Sequence, residues 1–213
     1  MKTLAGCLAV LLLAVSAVRA EDDRPPPSAR FSAGAYLSYW NAEDFNDLDL
    51  SGAAGLGVVG QFRFHKLLGV ELRTGGYVAG GDEDEFVEGE GWSEIDTTLG
   101  IVPLEIGLVG FWPVDEGFCL YGGPGAGYYL FDGEIRVSDG PWDYDYDLDL
   151  DDEGGFYVLF GARFQPVRNV GFFAEGKYTW VETSIDADGY FYDADVDVDC
   201  DGLGVNLGMI FTF

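Results

Sequence analysis

The chain has 213 residues, 38 of them acidic and 11 basic, for a net charge of −27. That length bounds it to one domain, and that charge excludes nucleic acid, whose phosphates it would repel. Beyond the first twenty residues no segment is long and apolar enough for a spanning helix, so a membrane-embedded form has to be a closed barrel.

Met1-Lys2-Thr3 carries a positive charge, 4–18 is apolar and uncharged, and Val18-Arg19-Ala20 places small residues at the −3 and −1 positions of a cleavage site. This pattern predicts a signal peptide over 1–20. Cys7 precedes the bulk of the apolar run, which argues against its being a lipidation site. A Pro-rich leader over 21–29, with Pro25, Pro26 and Pro27, comes next, and the remaining 30–213 is expected to be the folded domain.

Within that domain, runs rich in aromatic and β-branched residues predict strands over 31–40, 56–64, 70–78, 99–112, 118–131, 156–165, 170–181 and 203–213. Each is near the roughly 9–11 residues that a tilted strand uses to cross a bilayer, or somewhat longer. The connections alternate in length. Those over 65–69, 113–117 and 166–169 are short, whereas 41–52, 81–96, 132–153 and 182–201 are long and hold roughly 30 of the 38 acidic residues. With both ends on the same side, every short turn falls at one rim and every long acidic loop at the other. The expected fold class is therefore all-β: an eight-stranded antiparallel up-and-down transmembrane barrel with short periplasmic turns and long acidic external loops. Phe64, Trp112, Phe118, Phe164 and Phe172-Phe173 flank the short turns, where an aromatic girdle is expected.

Alternation separates two faces. Leu203, Val205, Leu207, Met209, Phe211 and Phe213 share one, and Gly204, Asn206, Gly208, Ile210 and Thr212 the other. The face opposite the apolar rows carries Arg63, Glu71, Arg73, Glu105, Arg163, Glu175 and Lys177. Four positives and three negatives are nearly neutral in a chain this acidic. A narrow lumen needs paired charges, so these seven are expected to line it as a charge network, and the apolar rows to meet lipid.

The last ten residues, Gly204-Val-Asn-Leu-Gly-Met-Ile-Phe-Thr-Phe213, resemble the terminal strand of outer-membrane barrels. Val102-Pro-Leu-Glu-Ile-Gly-Leu108, Tyr121-Gly-Gly-Pro-Gly-Ala-Gly-Tyr-Tyr129 and Phe173-Ala-Glu-Gly-Lys-Tyr178 are similar to segments of the small porin-like barrels of the OmpA/OmpX/OmpW superfamily. The resemblance implies an integral outer-membrane protein, exported through the periplasm. It also implies that Leu207, Met209, Phe211 and Phe213 form the signal read by the outer-membrane assembly machinery. Nothing in the sequence resembles the peptidoglycan-binding domain that often follows an OmpA barrel.

Three readings of function remain: a barrel with a structural or surface-interaction role that exposes acidic, aromatic loops; a narrow channel for small solutes; and a soluble periplasmic lipocalin-like barrel, its apolar face inward, that binds an apolar ligand. The partners expected are membrane lipid and the assembly machinery, with the chain a monomer. No enzyme is expected, because the lone His65 sits at a short turn, away from the external rim. No cofactor or metal site is assigned. The alternating row Asp143, Asp145, Asp147, Asp149 and Asp151 is the candidate for weakly bound divalent cations, since carboxylate oxygens suit hard ions. Unless a bulge intervenes, that row continues the lumenal face. The row Asp193 to Asp199 shares parity with the lipid face, so either a bulge lies near 200–202 or the row points outward. Cys119 and Cys200 fall at opposite rims, too far apart for a disulfide.

Overall fold

The computed structural model describes residues 30–42, 45, 50, 52–87, 91–139, 142–167, 169–186 and 195–213. The predicted signal peptide and the leader lie outside them.

Among the described residues eleven strands form, all paired antiparallel: β1 (Arg30–Ala42), β2 (Ala53–His65), β3 (Leu68–Val87), β4 (Gly91–Asp115), β5 (Phe118–Asp139), β6 (Trp142–Leu150), β7 (Glu153–Val167), β8 (Val170–Trp180), β9 (Glu182–Asp186), β10 (Asp195–Asp199) and β11 (Gly202–Thr212). Eight of them make a ring in the order β1-β2-β3-β4-β5-β7-β8-β11, closed by β11 on β1 from Ser32↔Thr212 to Ala42↔Gly202. Closure removes the free edges that lipid would leave without hydrogen-bond partners.

The short turns fall where the sequence places them. At the β2–β3 turn the Leu67 amide donates to His65 Nδ1 at 3.2 Å. The β4–β5 turn passes through Gly117 at φ 88°, a left-handed conformation that a side chain disfavours.

Parity is also as expected. Leu37, Leu72, Phe156, Phe160 and Leu207 stand on the outer wall, 58–70% exposed, while Glu71, Ile101 and Ile210 inside are 0% exposed. Phe64, Trp112, Phe118, Phe164 and Phe172 face outward beside the short turns, and Phe173 faces the lumen. The soluble lipocalin-like alternative is therefore set aside, because the apolar rows are the exposed ones and the charged row is the buried one.

The external half departs from the sequence reading. The stretches 81–96 and 132–153 are largely continued strand: β3, β4 and β5 run 20, 25 and 22 residues. β6 pairs with the upper part of β5, and the β9–β10 hairpin joins β6 through Asp149↔Asp186 and Leu150↔Ile185. One side of the barrel thus rises as a sheet beyond the ring.

A bulge does intervene before the first aspartate row. The chain takes five steps from Leu148 to Glu153 while β5 takes four from Gly133 to Tyr129. One extra residue exchanges the faces. Asp143, Asp145 and Asp147 accordingly register with Ser138, Arg136 and Glu134 of β5. In the second row no exchange occurs: Val198 and Cys200 are buried and Asp199 is partly exposed, so Asp199 lies on the outward side.

Glycines let the ring twist tightly at two points. At Gly123 an added Cβ would lie 1.9 Å from the Leu108 carbonyl oxygen, and at Gly125 it would lie 2.2 Å from Tyr157 Cζ, whose ring rests on that backbone. Outward Gly176 has nothing within 4 Å. Gly123→Ala is expected to destabilise the folded barrel by about 1–3 kcal/mol through overpacking, and Gly176→Ala to be nearly neutral. Urea unfolding in detergent micelles checks both, and equal stability of the two variants would contradict this packing.

Candidate functional site: the lumenal charge network

Strand alternation carries the seven predicted charges to the inside of the ring, and the ring's geometry decides which of them meet. β3 and β8 are four strands apart in a ring of eight, so they face each other across the lumen. Arg73 on β3 reaches Glu175 on β8 with both terminal nitrogens, Nη1 to Oε1 and Nη2 to Oε2 at 2.7 Å. Its Nε donates to Glu71 Oε1 at 2.5 Å. Such a fork fixes the guanidinium in one plane and holds opposite walls together.

Both carboxylates take further hydrogen bonds. Glu175 also accepts from the Tyr121 hydroxyl at 2.6 Å and from Asn206 Nδ2 at 2.8 Å, and Ser38 Oγ donates to Asn206 Oδ1. Glu71 accepts from Gln61 Nε2 at 2.6 Å, and Gln61 Oε1 accepts from Arg163 Nη2 at 2.5 Å, a second link between facing strands, β2 and β7. Separately, Lys177 Nζ donates to Glu105 Oε1 at 2.5 Å, an oxygen that also takes the Tyr129 hydroxyl at 2.9 Å. Arg73, Arg163 and Lys177 balance Glu71, Glu105 and Glu175, so the buried set is neutral. Arg73 and Lys177 are ion-paired, as a buried charge requires, whereas Arg163 bonds the neutral Gln61.

Arg63 differs from the expectation that all seven pair. It lies nearest the short-turn end, half buried, with its Cζ 3.8 Å from the centroid of the Phe111 ring, a cation–π contact. The seven charges therefore resolve into a six-member neutral set plus one stacked arginine.

Sequence reasoning missed the neutral members: Ser38, Gln61, Tyr121 and Tyr129 share parity with the charges, which is the signal that marks them. It also missed a plug. Trp40, Phe45, Leu50, Tyr77, Ile101, Tyr129, Phe131 and Val198 form one buried apolar cluster in the external half of the lumen. Phe45 and Leu50 belong to the acidic stretch 41–52, yet they are 0% and 5% exposed, tied by Leu50 N donating to Phe45 O at 2.7 Å.

The ring wall has two seams, each at a proline, which brings no N–H to a ladder. β3 pairs with β4 at Thr74↔Leu104 and again at Tyr77↔Ile101, and the two absent rungs are those that need a Pro103 N–H. Between β4 and β5 the rungs at Leu108 and Val109 are absent opposite Pro124 and Gly123. A groove of about 470 Å³ lies beside the first seam, lined by Val58, Gly60, Leu72, Thr74, Leu104 and Ile106 among others.

Of the aspartate row proposed for cations, Asp151 is exposed, and the other four have side chains outside the described set. At the external rim, partial burial and then the neighbouring Asp199 carboxylate raise the Asp201 carboxyl above its ordinary range, while its Oδ1 accepts the Val181 amide at 2.7 Å. Cys119 and Cys200 lie at opposite ends of the barrel and are not joined to each other. Leu207, Met209 and Phe213 stand exposed on the outer wall, with Phe211 half buried in the same row.

Glu175→Ala leaves Arg73 buried without its forked partner, and is expected to cost about 3–5 kcal/mol. The double change Arg73→Met with Glu175→Leu is expected to recover little of that loss, because it leaves Glu71 buried without its guanidinium partner. Urea unfolding in micelles reads both, and a loss below about 1 kcal/mol for the single variant, the range of an exposed pair, would contradict the network.

The fold is shared with solved membrane proteins. The crystal structure of the outer membrane protein OprG from Pseudomonas aeruginosa matches with a TM-score of 0.62 at 18% identity, covering 87% of this chain and 96% of OprG. The outer membrane protein AlkL, solved by solid-state NMR in DMPC bilayers, matches with a TM-score of 0.53 at 16% identity, covering 91% and 97%. No curated protein sequence matches the chain. Residues 5–211 match the outer membrane protein beta-barrel domain. With the eight-strand ring and its apolar belt, that match places the chain in the outer membrane protein beta-barrel domain family, as a protein of the outer membrane.

Proposed function

We propose that this barrel is a sealed membrane anchor with a structural and surface-interaction role, holding an acidic, aromatic sheet above the outer leaflet. One observation carries the reading. The lumen holds the neutral network in its middle and the apolar plug around Trp40 and Phe45 in its external half, while the longest strands continue beyond the ring. Cationic partners suit the sheet, whether divalent ions held weakly by its carboxylates or basic surfaces. Leu207, Met209, Phe211 and Phe213 serve as the signal for the assembly machinery, and the chain works as a monomer without enzymatic activity.

A second reading rests on the Pro103 seam: small apolar solutes pass sideways between the lumen's external half and the bilayer where the β3–β4 ladder is interrupted. It requires the plug to move.

The purified protein in planar bilayers and in vesicles discriminates between these. The anchor reading predicts no stable conductance steps and no faster entry of an apolar dye than into empty vesicles. Stable steps would overturn it. Faster dye entry, abolished when Gly75→Cys and Pro103→Cys are joined by a disulfide, would replace it with the second reading.

A further inference from the structure

The charges divide along the barrel axis. Acidic residues crowd the long external stretches, whereas Arg30, Arg63, Lys66 and Arg163 lie at the short-turn end. Two of these point into the lumen mouth and share one ring: Arg63 Cζ is 3.8 Å and Arg163 Cζ 5.9 Å from the centroid of Phe111. Arg30 is the register partner of Arg63 on β1 and stands exposed at the rim. Among the described residues no carboxylate forms an ion pair with Arg63. Arg163 is 3% exposed. One of its nitrogens bonds Gln61, and its Nε is buried with no hydrogen-bond partner among the described residues. The carboxylates described at this rim, Asp115 and Glu116, are exposed on the β4–β5 turn, where Asp115 Oδ1 accepts the Glu116 amide at 2.7 Å.

The carboxylates that act on Arg163, Glu71 and Glu175, are already engaged by Arg73, so the mouth side of the arginines is open to an anion. We propose that the short-turn mouth of the lumen is an oxyanion site of the phosphate class, held by Arg63 and Arg163 over Phe111 with Arg30 at its rim. Guanidinium forks match phosphate oxygens in pairs, and the stacked ring holds Arg63 in place without consuming its donors. Gln165, whose Nε2 donates to Thr212 Oγ1 at 3.3 Å, and Ser32, 3.0 Å from the same hydroxyl, give the mouth a neutral polar lining. The phosphate comes either free from the periplasm or on the headgroup of an anionic phospholipid of the inner leaflet.

Calorimetric titration of the protein, purified in a non-ionic detergent, tests this with two probes: inorganic phosphate and dihexanoyl phosphatidylglycerol. Binding of the first identifies a free anion, and binding of the second alone identifies a lipid headgroup. In either case Arg63→Gln and Arg30→Gln are each expected to weaken binding, Arg63→Gln by at least about tenfold, the loss of a charge-assisted fork. Arg136→Gln, at an exposed pair with Glu134, is expected to change nothing. Arg30 is exposed, so its variant keeps the test valid if Arg63→Gln fails to fold. The proposal is overturned if neither probe binds the unmodified protein, or if binding survives both mouth substitutions unchanged.

Discussion

Hydrocarbon offers no partner to a backbone N–H or C=O, and this constraint organises the rest of the molecule. It forces the sheet to close on itself, from β1 round to β11. Closure then gives every residue of the ring only two places to point. One meets lipid, and leucine, valine and phenylalanine fill it. The other meets a lumen too narrow for bulk water, where a charge survives only beside its opposite. The two proline seams are the places where the constraint is relaxed, and both are rungs of β4.

Given a lumen, its contents follow from the width of an eight-strand ring. Facing strands are close enough for an arginine to span them, and Arg73–Glu175 and Arg163–Gln61 do so. The network is layered. Mixed hydrogen bonds and ion pairs fill the middle, aromatic and aliphatic side chains fill the external half, and the stacked Arg63 stands at the short-turn mouth. Glycines on the inner rows are what admit side chains as large as Tyr157, since a Cβ at Gly125 would overlap its ring. Close packing and charge neutrality together leave the middle of the barrel filled, which is why the anchor reading is preferred to an open axial pore.

Much of this was legible in the residues. Period-two alternation along 203–213 and 156–165 separates lipid-facing from lumenal rows, and turn length separates the two rims. The charges Glu71, Arg73, Glu105, Arg163, Glu175 and Lys177 were legible as lumenal because their parity opposes the apolar rows. What was hidden depends on contacts distant in sequence. Acidic composition marks 81–96 and 132–153 as solvated, yet backbone pairing continues through them, because charged side chains do not prevent a ladder once its neighbours are strands. Phe45 is one apolar residue in an acidic stretch, and only the closed ring above Ala53 and Trp40 supplies it with a place to be buried. The extra residue before Glu153 has no local signature, so the face of the first aspartate row could not be read in advance. Arg63 is indistinguishable by parity from its paired neighbours; its stacking on Phe111 follows from its place at the rim.

The central claim is that apolar rows face lipid and alternate residues face a filled lumen. Site-directed spin labelling along 203–208, in a background with Cys119 and Cys200 replaced by alanine, tests it most directly in reconstituted bilayers. The account predicts that labels at Leu203, Val205 and Leu207 are accessible to oxygen dissolved in the membrane. Labels at Gly204, Asn206 and Gly208 that fold at all should be shielded from oxygen and from water-soluble nickel chelate alike. High nickel accessibility at the even positions would reveal an open aqueous lumen. Oxygen accessibility without alternation, or with reversed alternation, would contradict the orientation of the whole barrel.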